Sequence, residues 1–148
     1  MLLNVRARRH PAIFAPRFPA TMANEMTEAR LLEALAAWNT GDADRVLAYW
    51  SDNCTYHASF GPELLGRSFC GRDAAREGIQ LFFGRYPDGE FVDTEVIVAG
   101  NRGVAEWTFR APGDDGGEFE VRGCDLFEFA GDLIRTKNAF RKVREASG

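Results

Sequence analysis

From Glu90 to Val143 the chain is written in a period of two, and this constrains its fold more than any other feature. The segments "EFVDTEVIVAG", "GVAEWTFRA", "GEFEVRGCDLFEFA" and "LIRTKNAFRKV" follow one another with only "NR", "PGDDG" and "GD" between them. Links that short join neighbouring antiparallel strands, so the pattern predicts a four-stranded meander. Ahead of Glu90 the apolar spacing is helical. "TEARLLEALAAWNT" puts Leu31, Leu35 and Trp38 on one stripe flanked by Leu32, Ala36 and Asn39. Gly41 stops that helix, and Asp42 is placed to cap a second over "ADRVLAYW". "CTYHASF" reads as a strand and "GPELLGRSFCGR" as a turn or irregular loop, after which Asp73 caps a third helix over "AAREGIQLFFGRY", closed by Pro87. Helices first and strands afterwards predict an α+β domain whose curved sheet wraps over about three N-terminal helices.

The chain has 148 residues, enough for one core, and its 12 Phe make the interior unusually aromatic. Its charge is unevenly spread. Residues 1–24 hold Arg6, Arg8, Arg9 and Arg17 and no acid, whereas the remainder carries 14 bases against 22 acids, a net charge of −8. Residues 1–24 read as a disordered basic tail, or as codons ahead of a start at Met22 or Met26, and residues 25–148 as the domain. A basic arm that binds nucleic acid stands or falls with that tail. The acidic body argues against nucleic acid or an anionic membrane as the main partner. No apolar run is long enough to span a bilayer. Cys54, Cys70 and Cys124 form no close pair, so neither a disulfide framework nor a zinc knuckle is indicated and a cytoplasmic setting is the default. No phosphate loop, metal-spaced cluster or nucleophile elbow occurs, so no metal and no cofactor is implied.

Within "GEFEVRGCDLFEFAGD" the alternation places Asp125 among Phe119, Val121, Phe127 and Phe129, on the apolar face. Burying a carboxylate without a partner costs several kcal/mol, so Asp125 is either paired inside or put there to react. On "CTYHASF" the same alternation sets Tyr56 with Cys54 and Ala58 on the cavity face, and His57 on the other unless a bulge near Gly61 turns it. His57 remains a candidate because it is the residue type suited to proton transfer near neutral pH. On "LIRTKNAFRKV" the apolar face reads as Ile134, Thr136, Asn138 and Phe140, which makes Asn138 a polar neighbour able to orient a substrate beside Asp125. Trp107 and Phe109 face inward on their strand, and Trp38, Phe82 and Phe83 are placed to line a pocket. Arg110, Glu106, Arg122 and Glu120 read as cross-strand ion pairs on the outer face.

The order of elements, with "AWNTGDADRVLAYWSDNCTYHASF", "GRDAAREGIQLFFGRYPD" and "CDLFEFAGDLIRTKNAFRK", resembles the SnoaL-like branch of the nuclear transport factor 2-like superfamily, over roughly Thr27 to Val143. Polyketide cyclases, ketosteroid isomerase and scytalone dehydratase are relatives. The resemblance implies a cystatin-like cone with a mixed or antiparallel sheet around a cavity, and a homodimer through the outer sheet face, where Cys124 and Leu126 interrupt the charges. The isomerase's base position falls at Ala58 and its oxyanion-hole tyrosine at Ala34, and neither alanine can do that chemistry. Asp125 falls where the isomerase keeps its protonated aspartate and near the acid/base aspartate of the cyclases. The implied activity is cofactor-independent acid-base catalysis of an isomerase, cyclase or dehydratase kind on a mainly apolar, cyclic or carbonyl-bearing molecule. Asp125 and His57 would be catalytic there, and Tyr56, Asn138, Trp107, Phe109, Phe127, Trp38 and Phe82 would hold the substrate. The alternative that the fold also implies is a non-catalytic ligand-binding or dimerisation module.

Overall fold

The computed structural model describes residues 24–145; most of the basic segment expected as a tail lies outside them. Helix α1 (Glu28–Ala36) starts where the Thr27 hydroxyl accepts the Arg30 amide, and it tightens into a 3-10 turn (Ala37–Thr40) that Gly41 ends at a φ of +68°. Asp42 then caps helix α2 (Ala43–Leu47), its carboxylate accepting the Asp44 and Arg45 amides. The helical stripe is the one the spacing predicts: Leu31, Leu35 and Trp38 are buried, while Leu32 is exposed. The rest of the chain supplies strand β1 (Trp50–His57), strand β2 (Ser68–Cys70), helix α3 (Arg72–Arg85) and the meander β3 (Glu90–Ala99), β4 (Arg102–Pro112), β5 (Glu118–Ala130) and β6 (Leu133–Arg141).

The six strands form one open sheet in the order β2-β1-β6-β5-β4-β3. All neighbours are antiparallel except β1 and β6, which run parallel, so the sheet is mixed. Its inner face buries Tyr56, Trp107, Phe109, Phe127 and Ile134 against α1, the 3-10 turn and α3, giving a single apolar core. Asn39 ties the helices to the edge strand: its amide donates to the Phe91 carbonyl at 2.9 Å, and its carbonyl accepts the Phe91 amide at 2.7 Å. One polar side chain thereby satisfies backbone groups that an edge strand leaves open.

Several expectations need correction. The second helix ends at Leu47 because Trp50 already pairs with Ile134 of β6, so parallel sheet pairing overrides the helical spacing of "AYW". The expected loop "GPELLGRSFCGR" contains β2, whose Phe69 is buried under Gly78 of α3. Helix α3 begins at Arg72 after Gly71, with no side-chain cap, so Asp73 lies inside its first turn. The largest change is in β6. Phe129 pairs with Ile134 but Glu128 pairs with Thr136, which leaves Arg135 as an extra residue. A one-residue bulge exchanges the two faces of everything beyond it. Lys137 and Ala139 therefore point into the core, while Thr136, Asn138 and Phe140 join the outer side with Leu126 and Cys124.

Candidate functional site

A cavity of about 380 Å³ lies between the concave face of the sheet, the 3-10 turn and α3. Its walls are largely aromatic, with Trp38, Tyr56, Phe82, Tyr86, Phe91 and Trp107 contributing. Trp38 is the hub of this lining, meeting the rings of Tyr56, Phe82, Phe83 and Phe91 edge-on at centroid distances of 5.6–6.2 Å. Edge-to-face contacts of this kind fix ring orientations, so the wall is a shaped surface.

At the floor the bulge in β6 delivers Lys137. Its ammonium donates to Asp125 Oδ1 at 2.9 Å, with Lys137 4% and Asp125 1% exposed. The second carboxylate oxygen, Oδ2, accepts the indole N–H of Trp107 at 2.9 Å. The Lys137 Nζ also lies 4.8 Å from the Trp38 ring centre and 5.2 Å from that of Tyr56, over two electron-rich faces. Lys137 borders the cavity, whereas Asp125 stands behind it beside a void of about 10 Å³, no more than one water's room. The carboxylate on the apolar face is therefore paired. Lys137 was missed in the sequence because strict alternation along β6 put it outside, and its position between Thr136 and Asn138 carries no sign of the bulge.

Gly123 makes this arrangement possible. It sits opposite Trp107 in the β4–β5 ladder, and a Cβ there would overlap the Trp107 ring and the Phe140 carbonyl. The indole thus lies flat across β5 and reaches Asp125, two residues further along the same face. Tyr56 completes the floor. Burial, and secondarily the Asp125 carboxylate, push its phenol well above the ordinary tyrosine value, so it stays a neutral hydroxyl at neutral pH.

The other expected site residues divide by position. Trp38, Tyr56, Trp107 and Phe82 border the cavity. Phe109 is packed deeper, against Phe82, Tyr86 and Phe91, and Phe127 stacks on Phe129 behind the floor. His57 faces away from the cavity, its Nδ1 in a 2.7 Å hydrogen bond with the Ser68 hydroxyl. No bulge at Gly61 turns it. Asn138 pairs with Leu126 and His57 and belongs to the outer side, bordering a separate cleft with Ala58 and Leu64. Neither residue is brought to Asp125. Among the described residues no cluster of three His, Cys, Asp or Glu side chains could hold a metal ion. No helix among them is long and apolar enough to cross a membrane.

This α+β fold is matched in known proteins. A family model described as "SnoaL-like domain" aligns with residues 31–136. The chain belongs to that family. Its solved neighbours include a protein assigned to the polyketide cyclases from Xanthomonas campestris, at 20% identity over 76% of this chain and 87% of that one, with a TM-score of 0.64. A phenazine biosynthesis-related protein from Pseudomonas aeruginosa shares 17% identity over 78% and 80% of the two chains, with a TM-score of 0.61. TerC, co-crystallised with polyporic acid, shares 14% over 77% and 89%, with a TM-score of 0.64. At these identities the likeness is one of fold. No curated protein sequence matches the chain.

Proposed function

We propose that this SnoaL-like chain is a cofactor-independent small-molecule enzyme that activates a carbonyl-bearing cyclic substrate by acid-base chemistry. The observation that carries the reading is the buried Lys137–Asp125 pair at the floor of an aromatic cavity. The Lys137 amine group, held by Asp125 at 2.9 Å, is a preorganised donor. Lys137 and Tyr56 both line the cavity, and a substrate oxygen placed between the ammonium and the neutral Tyr56 hydroxyl would receive both. Negative charge that develops on that oxygen during enolisation or ring closure is stabilised there more strongly than in water. Asp125 aims the ammonium, which protonates the developing enolate oxygen while solvent water takes the α-proton, and a proton from that water then restores the ammonium. The role of acid-base centre thus passes from Asp125 and His57 to the Lys137–Asp125 pair, with Lys137 as the member that faces the substrate. The three free thiols accord with a reducing compartment such as the cytoplasm. The working unit we infer is a homodimer through the outer sheet face, where Ile97, Leu126 and Phe140 are exposed.

The test is hydrogen exchange into a bicyclic ketone. In D2O the α-protons of 2-tetralone should exchange at least tenfold faster with the protein than in buffer, as read by proton NMR, and Lys137→Met should remove the acceleration. A ketone that binds, shown by shifts in its own resonances, yet exchanges at the buffer rate would mark the cavity as a non-catalytic binding site and overturn the proposal.

A further inference from the structure

The cavity is cationic in an acidic protein. The chain carries a net charge of −4, yet among the described residues those that border the cavity include Lys137, Arg67, Arg85 and Arg141 and no Asp or Glu. These four cations are not equivalent. Lys137 is engaged by Asp125, and Arg85 is held by the Asp114 carboxylate, with Nη2 to Oδ2 at 3.0 Å. Arg67 and Arg141 have no carboxylate within 4 Å among the described residues. Both are exposed, and both stand at the rim, near Ser59 and Phe60.

Arg67 is also held in place. Its guanidinium lies 5.1 Å from the centre of the Phe69 ring, and its backbone closes the loop after β1: the Arg67 amide donates to the Phe60 carbonyl at 2.7 Å, and the Ala58 amide donates to the Arg67 carbonyl at 2.9 Å. That closure depends on Gly66, at a φ of +70°, where a side chain would meet the Ala58 carbonyl. Arg141 arrives from the end of β6, four residues beyond Lys137, so one strand carries the floor cation and the rim cation on the same face.

We propose that the substrate of this cavity is an aromatic or fused-ring carboxylate, bound with its ring system on the aromatic walls and its carboxylate on Arg67 and Arg141 at the rim. The inference rests on the reading of the cavity as the reaction site and deepens it by naming the charge and the orientation of the molecule. Planar guanidinium groups match a carboxylate with two parallel hydrogen bonds, and both arginines are free to give them. A volume of about 380 Å³ suits a two- or three-ring skeleton. The same orientation sends the end of the molecule remote from the carboxylate toward Lys137 and Tyr56.

Binding of 2-naphthoate and of its neutral analogue 2-acetonaphthone, measured by calorimetry in low salt, tests this without any turnover. The carboxylate should bind at least tenfold more tightly than the ketone. The combined variant Arg67→Gln and Arg141→Gln should lose at least tenfold in naphthoate affinity and keep its ketone affinity, which also shows that the variant is folded. Equal wild-type affinities, an equal loss for both ligands, or no binding of naphthoate would each overturn the proposal. Exchange into 2-tetralone is independent of this result, so a failure of the catalytic reading and a failure of the carboxylate reading give different outcomes.

Discussion

Replacing Asp125 by Asn keeps the size of the side chain and the acceptor for the Trp107 indole, but it removes the only carboxylate within 4 Å of the buried Lys137 ammonium among the described residues. Removing one partner of a buried pair strands the other, at a cost of about 3–5 kcal/mol. The full range applies here because Lys137 is only 4% exposed and its surroundings are rings. Lys137→Met keeps the length of the stem against Trp38 and Tyr56 and strands the carboxylate instead, so it should cost a similar amount. Combining the two leaves no buried charge. The double variant should therefore be more stable than the sum of the single losses predicts, by roughly 2–3 kcal/mol of coupling. Urea unfolding of the four proteins at pH 7, followed by circular dichroism, reads this directly. With a slope of about 2 kcal/mol per molar urea, each single variant should unfold about 2 M earlier than wild type. An Asp125→Asn midpoint within about 0.3 M of wild type, or strictly additive losses, would refute the claim that this pair is a coupled buried unit.

Gly123→Ala should cost about 1–3 kcal/mol through overpacking and should also displace the Trp107 indole from Asp125, visible as a change in tryptophan fluorescence that Gly116→Ala does not produce. At alkaline pH the folded protein keeps the Tyr56 proton that the unfolded chain sheds, because the folded value is raised above 10.0. The contribution is therefore complete below about pH 10 and declines as pH rises beyond it, by up to about 1.4 kcal/mol per unit, so Tyr56→Phe should flatten that limb of the stability curve. Light scattering at micromolar concentration should give the mass of a dimer, and Leu126→Arg should convert it to the monomer, since Leu126 lies 38% exposed beside Phe140 on the outer face; a wild-type monomer would refute the assembly.

Much of the fold was legible because its elements are amphipathic in the plainest way. The α1 stripe, the Asp42 cap, the Gly41 stop and the four alternating strands each rest on local chemistry, and each stands where that chemistry puts it. So do the outer-face ion pairs, Arg110 with Glu120 at 2.7 Å and Arg122 with Glu106. What was not legible depends on partners distant in sequence. Strand β1 begins at Trp50 because β6 lies beside it, and β2 exists because Phe69 is covered by α3. Nothing within "AYW" or "RSFCG" records either neighbour.

The site shows the same division at the scale of single residues. Asp125 declared itself, because a carboxylate in a run of Phe and Val breaks a pattern, and the inner placing of Tyr56 followed from alternation with Cys54. Lys137 did not, since a lysine between Thr and Asn on a terminal strand is what a solvated face looks like. A residue that breaks a pattern implies a second one that answers it, however, and a buried carboxylate restricts that answer to a cation or a cluster of donors. Extending β6 by strict alternation left Arg and Lys outside and Asp125 with only Asn138 to meet it, which does not neutralise a buried anion. That imbalance of charge was itself a sign of a bulge. One extra residue at Arg135 turns Lys137 inward, removes Asn138 from the core and brings Arg141 to the cavity rim in a single step. The irregularity in the strand, more than any motif, makes the cavity cationic from floor to mouth.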